Sequence, residues 1–188
     1  EAKAKRIIIP FEKELRNRTG LKCYGSDEEN LPFIVIRLLR EQSETLAVAE
    51  SCSGGGLGAA LTSIPGASDI FVGGVIAYNN SIKQKGLGVP ADIINKYGAV
   101  SAQVVQSMAN GVREALDSDW AIAISGLAGP GGGTKLKPIG CVYIAVVGPQ
   151  GGTSNLNSFG HQKGRIEIQK LSVLSALDQL RLLLLAQS

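Results

Sequence analysis

Three stretches of the chain carry apolar residues at helical spacing. Residues 31–42 have them at positions 31, 34, 35, 38 and 39, and residues 164–185 are rich in leucine. Between these stretches, Ser101 precedes an apolar face formed by Val104, Val105, Met108, Val112 and Leu116. Because a spacing of three to four residues gathers side chains on one side of a helix, each stretch predicts a helix. Ser101 suits the N-cap of the second one.

Short apolar runs between these helices predict strands at 45–49, 70–78, 120–125, 140–147 and 156–159. Shorter helices are predicted at 56–63, around Lys83 and at 91–96. Strands that alternate with helices indicate the α/β class, here a three-layer α/β/α sandwich. The last two strands are adjacent along the chain and favour an antiparallel hairpin, so we expect a mixed, largely parallel sheet.

Residues 1–30 differ from the rest of the chain. They contain an isoleucine run at 7–9, a charged helical stretch at 11–18 and a possible short strand at 21–24. This is too little to form a core, so we interpret residues 1–30 as a connector, or the tail of an absent upstream domain. The remaining residues, 31–188, form the predicted main domain.

Composition narrows the class of protein. With 44% hydrophobic and 19% charged residues, the 188-residue chain can form a core and is not disordered as a whole. The net charge of +3 comes from the first forty residues, and the neutral remainder has no basic stripe with interleaved aromatics. We therefore expect no direct nucleic-acid partner. Glycine is about twice as frequent as usual, with 24 residues, and these must serve particular loops.

Cysteine use and hydropathy indicate the compartment. The three cysteines form no CxxC pair and the chain has one histidine, so a zinc site is not expected. Free thiols favour a reducing compartment, and no signal peptide or long apolar run is present. These features predict a cytoplasmic protein that does not contact a membrane.

The first candidate for chemistry is the loop after the strand at 45–49, which reads Ser51-Cys52-Ser53-Gly54-Gly55-Gly56. Glycines allow a ligand to approach the backbone, and the amide groups at a helix N-terminus bind anions or an oxyanion. The same residues also suit a tight turn with Ser53 as the helix N-cap. From spacing alone both interpretations stay open.

A serine nucleophile would need a base. His161 lies in a polar stretch and is better explained as a solvated loop residue. Lys83 would lie in the first turn of a helix, where the dipole disfavours a cation and lowers the lysine pKa. A solvated surface lysine is the alternative.

The second candidate is the glycine-rich loop at 126–134, which follows a buried strand. It matches neither a Walker A motif nor GxGxxG, yet its glycines favour close approach to a phosphate or a ribose. Ser125 and Thr134 would donate from their hydroxyl groups. Lys135 and Lys137 are predicted to be solvated.

Four motifs together, at residues 49–55, 74–83, 98–101 and 125–134, resemble the CinA C-terminal domain family over some 155 residues. That resemblance implies a PncC-type nicotinamide mononucleotide deamidase, which forms nicotinate mononucleotide and ammonia in pyridine-nucleotide recycling without a metal or cofactor. It also implies a homodimer.

The resemblance assigns roles to residues of this chain. Ser51 corresponds to the nucleophile, Lys83 to the general base and Tyr78 to a tyrosine that orients the lysine or the substrate. Backbone amides at 53–55 would hold the oxyanion. The implied substrate-binding residues are Ser53, Gly54, Gly55, Ser125, Gly126, Gly131, Gly132 and Lys163.

Two departures from the family pattern leave alternatives. Gln162 and Lys163 stand where many members have an Asp-Arg pair, and lysine lacks the bidentate fork of arginine. Arg165 is a possible replacement. The loss of this pair favours a catalytically weakened module that binds a nucleotide or a protein partner, linked to competence or DNA damage. Ser53 replaces a usual threonine and keeps the hydroxyl.

Beside the amidohydrolase and the weakened module, a third alternative is an enzyme that uses the Cys52 thiol as its nucleophile, although this thiol lacks a base.

Overall fold

A five-stranded sheet forms the middle layer of the protein. In the computed structural model, which describes residues 2–187, the strand order is β2-β1-β3-β4-β5. The strands are β1 (Leu46–Glu50), β2 (Phe71–Ile76), β3 (Trp120–Gly126), β4 (Cys141–Gly148) and β5 (Gly151–Ser158). Strands β2, β1 and β3 are parallel, and β4 is antiparallel to both of its neighbours. Four strands therefore run in one direction, and the predicted mixed, largely parallel sheet is confirmed.

Helices cover both faces of this sheet. Residues 2–187 form the helices α1 (Ala2–Thr19), α2 (Leu31–Gln42), α3 (Gly56–Thr62), α4 (Asn80–Leu87), α5 (Ala91–Tyr97), α6 (Ala102–Ala115) and α7 (Arg165–Gln187), of which α1 contributes no residue to the core on either face. Helices α2, α3 and α7 pack on one face, and α4, α5 and α6 pack on the other. The predicted three-layer sandwich is confirmed.

The two faces of the sheet differ in side-chain size. Toward α2 and α7 the inner strands present large residues such as Trp120, Ile122 and Ile144. Toward α6 they present mainly alanines, at positions 47, 49, 121, 123 and 145. Strands β1, β3 and β4 are buried on both sides, which explains why the sequence shows them as nearly continuous apolar runs.

Polar side chains cap three of the helices. Asn30 accepts a hydrogen bond from an amide of α2, Asn79 from one of α4 and Ser101 from one of α6. Each cap satisfies an amide that has no partner within its own helix. The predicted cap at Ser101 is confirmed, and the cap of α4 fixes where the helix that carries Lys83 begins.

The structure corrects two predicted segments. Residues 21–24 form no strand, since Gly20–Lys22 is a 3-10 turn and the isoleucine run before it is helical within α1. This segment lies outside the sheet, where an extended chain has no pairing partner. Strand β5 begins at Gly151, not at residue 156, because backbone pairing with β4 extends to the two-residue turn at 149–150. The boundary near residue 30 stays a prediction.

Helices α4 and α6 approach closely at Gly111. A Cβ atom there would lie 1.9 Å from the carbonyl oxygen of Leu87, the last residue of α4. Backbone cannot rotate away from such a clash, so only glycine permits this distance. Gly111 thereby helps to set the position of the helix that carries Lys83.

We expect Gly111→Ala to lower the free energy of unfolding by about 1–3 kcal/mol, because overpacking outweighs the gain in helix propensity. Gly86→Ala is the matched control within α4, since its Cβ would meet only side-chain atoms at 3.5 and 3.7 Å. The control should be neutral or stabilising by up to about 1 kcal/mol. Urea denaturation of both variants measures the difference. Equal effects would contradict the proposed close contact.

Candidate active site

A pocket of about 270 Å³ opens beyond the carboxyl ends of β1 and β3. This is where α/β sheets commonly bind ligands. Of the predicted site residues, six line it: Ser51, Tyr78, Lys83, Ser125, Gly126 and Gly131. A larger groove of about 440 Å³ lies between α3 and α7, but its walls are mainly apolar and it lacks the serine–lysine pair. The polar pocket is therefore the candidate active site.

Ser51 and Lys83 are in direct contact within this pocket. The Lys83 Nζ atom lies 3.2 Å from Ser51 Oγ and donates a hydrogen bond to the Ala77 carbonyl oxygen at 2.7 Å. Lys83 is only 2% exposed, and no carboxylate within residues 2–187 lies in salt-bridge range of its amine. A buried amine beside a hydroxyl can exchange a proton with it.

Burial lowers the pKa of Lys83 from its ordinary value, because the charged form loses hydration. The sequence prediction gave the helix dipole as the cause, and burial replaces it as the main one. Since the pKa falls, a larger fraction of Lys83 is neutral at a given pH than of a solvated lysine. A neutral lysine is what a general base requires.

The Ser51 loop is held by the carboxylate of Glu50. This side chain, 2% exposed, accepts hydrogen bonds from the amides of Gly55, Leu57 and Gly58 at 3.1, 3.0 and 2.8 Å. It thus satisfies the first amides of α3, so the alternative in which Ser53 is the N-cap is wrong. Sequence reasoning missed Glu50. Its signal was an acidic residue that ends an otherwise apolar strand just before a glycine loop.

The same contacts correct the predicted oxyanion site. The Gly54 amide donates to the Ser51 carbonyl oxygen and the Gly55 amide to Glu50, so neither is available to a ligand. In the described chain the amides of Cys52 and Ser53 have no acceptor and remain candidates. Within residues 2–187 the buried Ser53 hydroxyl has no hydrogen-bond partner, and Ser53 lines the apolar groove instead of the pocket.

Arg165, the first residue of α7, takes the place predicted for Lys163. Its guanidinium donates to the Tyr78 hydroxyl oxygen at 2.7 Å and to the Gly129 carbonyl oxygen at 2.8 Å. Lys163 instead forms an ion pair with Glu167 outside the pocket. Lys163 precedes α7 by two residues, and the first residue of that helix, Arg165, is the cation that lines the pocket, as the possible replacement predicted. Whether the site is catalytically weakened stays a prediction.

The Ser125 hydroxyl has a defined direction. It lies 2.8 Å from the Ala99 carbonyl oxygen, which can only accept, so the hydroxyl proton points there. Ser125 therefore offers lone pairs to the pocket, which corrects its predicted role as a donor. Thr134 and Gly132 lie outside the pocket lining, and the Thr134 hydroxyl accepts a hydrogen bond from the Lys137 amide.

Cys52 and His161 lack the features of a nucleophile and its base. Burial raises the pKa of the Cys52 thiol to about 12, so it stays protonated at neutral pH. His161 is exposed on the loop before α7, away from the serine–lysine pair, as the interpretation as a solvated residue predicted. These positions favour Ser51 over the thiol.

Nowhere between residues 2 and 187 do three His, Cys, Asp or Glu side chains cluster as metal ligands would. Within the same range no helix combines the length and apolar character needed to cross a membrane.

Comparison with known proteins places this fold and site in a family. The family model "CinA C-terminal domain" matches residues 28–184. A "CinA-like protein" of Prochlorococcus marinus (strain MIT 9313) is 56% identical over 97% of this chain and 42% of its own length. One of Synechocystis sp. (strain ATCC 27184 / PCC 6803 / Kazusa) is 54% identical over 96% and 44%. The chain thus spans less than half the length of these relatives.

Solved structures agree with this assignment. The competence/damage inducible protein CihA from Agrobacterium tumefaciens superposes with a TM-score of 0.80 at 34% identity, covering 86% of this chain and 97% of that one. A CinA superfamily protein from Klebsiella pneumoniae 700603 gives 0.80 at 31% identity, covering 84% and 99%.

We expect Glu50→Gln to lower the free energy of unfolding by about 2–4 kcal/mol, because an amide group would face backbone amides that need an acceptor. Glu41→Gln on the surface of α2 is the control, since the one ion pair of Glu41 among the described residues is with Arg37 at 3.8 Å and should contribute less than about 0.5 kcal/mol. Urea denaturation measures both. A Glu50 variant as stable as the control would contradict the role of this carboxylate.

Proposed function

The chain belongs to the CinA C-terminal domain family, and from this premise we propose that it is an amidohydrolase that converts nicotinamide mononucleotide to nicotinate mononucleotide and ammonia. One observation carries the proposal. A buried lysine with a lowered pKa contacts the hydroxyl of a serine at 3.2 Å in a polar pocket. Serine paired with a neutral amine is an arrangement that activates a nucleophile.

The proposed reaction has two halves. Ser51 Oγ attacks the carboxamide carbon while Lys83 takes the hydroxyl proton. Lys83 then gives this proton to the departing nitrogen, the C–N bond breaks and ammonia leaves an acyl-serine ester. In the second half Lys83 takes a proton from water, hydroxide attacks the ester carbon and Ser51 regains its proton. The hydrogen bond from Lys83 to the Ala77 carbonyl keeps the amine aimed at Ser51 through both halves.

Other groups of the pocket suit a nucleotide that carries a carboxamide. Arg165 supplies a cation for an anionic phosphate, and its planar guanidinium group can bind two phosphate oxygens. Tyr78 accepts a hydrogen bond from Arg165 and so orients it. The lone pairs of Ser125 match the N–H groups of a carboxamide, which the carboxylate product lacks. These contacts support the substrate class and favour release of the product.

The proposal includes two properties of the whole protein. The free thiols of Cys23, Cys52 and Cys141 suit a cytoplasmic location. A homodimer is implied by the family resemblance, and sedimentation analysis is the measurement that tests it.

We expect Ser51→Ala to lower kcat for ammonia release from nicotinamide mononucleotide at least about a thousandfold, since no other group attacks the carbonyl carbon. Cys52→Ala is the matched control from the adjacent position, and it should keep wild-type activity. Circular dichroism would establish that each variant is folded. No ammonia release from the folded wild-type chain would overturn the proposed function.

The pH dependence of kcat/KM should follow the ionisation of Lys83. Because burial lowers its pKa below the ordinary value of 10.5, activity should rise with pH and level off below that value. Lys83→Arg keeps a cation that does not lose its proton, so we expect about 10²- to 10⁴-fold lower kcat at every pH. An active arginine variant with the same pH profile would contradict the role of Lys83 as the base.

A further inference from the structure

The segment 97–100 runs from the last residue of α5 into the turn before α6 and forms one wall of the pocket through Ala99 and Val100. All four of its carbonyl oxygens accept hydrogen bonds from side chains. Ser101 Oγ binds the Gly98 carbonyl oxygen at 2.9 Å, and Ser125 Oγ binds that of Ala99 at 2.8 Å. The remaining two are bound by a lysine from a distant part of the chain.

This lysine is Lys137. Its Nζ atom donates to the Tyr97 carbonyl oxygen at 2.8 Å and to the Val100 carbonyl oxygen at 2.6 Å. The Tyr97 carbonyl ends α5, where the helix dipole favours a cation. Within the described residues no carboxylate lies in salt-bridge range of Lys137. Its charge is therefore directed to the backbone of the pocket wall, which corrects the prediction of a solvated side chain.

Lys137 lies in the loop between β3 and β4, residues 127–140, which contains most of the glycine-rich segment and forms another wall of the pocket through Leu127, Ala128, Gly129 and Gly131. Two backbone hydrogen bonds close the base of this loop, from Leu127 to Cys141 and from Gly140 to Leu127. Arg165 holds the early part of the loop at Gly129. Lys137 holds the late part, so the two cations anchor the loop from opposite ends.

We propose that Lys137 is a positioning residue that fixes the separation of the two pocket walls and thereby the affinity for the nucleotide. The inference rests on the proposed function for its kinetic consequence. Lys137 does not line the pocket, so it acts through the backbone that it binds and not by touching the substrate. The Ser51–Lys83 contact does not involve either wall, so the chemical step should be largely preserved without Lys137.

The test compares Lys137→Met with Lys135→Met, a control from the same loop whose lysine is exposed and forms no hydrogen bond or ion pair within the described residues. We expect the Lys137 variant to raise KM for nicotinamide mononucleotide about ten- to hundredfold, with kcat within about threefold of wild type. Lys137→Arg keeps the charge and several donors and should recover most of the affinity. The Lys135 variant should match the wild type.

Hydrogen exchange provides a measurement that does not depend on the reaction. In Lys137→Met, amide exchange should accelerate both at residues 97–100 and at residues 127–140, whereas Lys135→Met should leave both unchanged. If the methionine variant does not fold, Lys137→Gln replaces it, since the amide lacks the charge and the reach of the lysine, and exchange should again accelerate at both segments while Lys137→Arg stays close to wild type.

The kinetic and exchange results test the positioning role of Lys137 separately from the proposed function. Unchanged KM in Lys137→Met, or a lower kcat with unchanged KM, would overturn the positioning role. Faster exchange in only one segment would overturn the link between the walls. If the wild-type chain releases no ammonia, the proposed function fails, and hydrogen exchange alone then decides whether Lys137 joins the walls.

Discussion

The candidate site depends on one buried carboxylate. Glu50 ends β1 and binds three amides of the loop and helix that follow, which would otherwise lack acceptors in a water-excluded region. The turn that satisfies these amides requires backbone angles that glycine adopts readily, with φ of +66° at Gly54 and +97° at Gly55. Ser51, the residue between the strand and this turn, is placed at the strand end as a consequence.

Three cations near this loop have different environments and therefore different roles. Lys83 is buried, and the lost hydration lowers its pKa and favours its neutral form. Arg165 is exposed and lines the pocket, where its guanidinium donates hydrogen bonds to the Tyr78 hydroxyl and to the Gly129 carbonyl oxygen. Lys137 binds backbone carbonyl oxygens behind the pocket wall. Lys83 and Lys137 are the same residue type, so residue type alone does not predict their different environments.

Local patterns predicted the fold class and part of the site. The sandwich, the mixed sheet and the cap at Ser101 follow from periodicity and turn chemistry, which act within a few residues. The motifs selected Ser51, Lys83 and Tyr78, and the structure places all three in one pocket, while their catalytic roles stay a prediction. Lys163 lies outside this pocket because its position depends on where α7 begins. Ser53 is not the N-cap of α3 because the carboxylate of Glu50, three residues earlier, accepts from the amides there.

The sequence by itself determined which residues are candidates for chemistry or ligand binding. They are a serine in a glycine loop, a lysine in the first turn of a capped helix and a glycine-rich segment after a buried strand. Only the tertiary structure decided the environment and the contacts of these residues. Groups far apart along the chain bury Lys83, direct the Ser125 proton and bind Lys137. The position of Arg165 in the pocket lining depends on where a helix starts, and the contacts of Glu50 depend on the turn that follows it. Hydration and hydrogen bonding are set by that packing, and local spacing does not encode it.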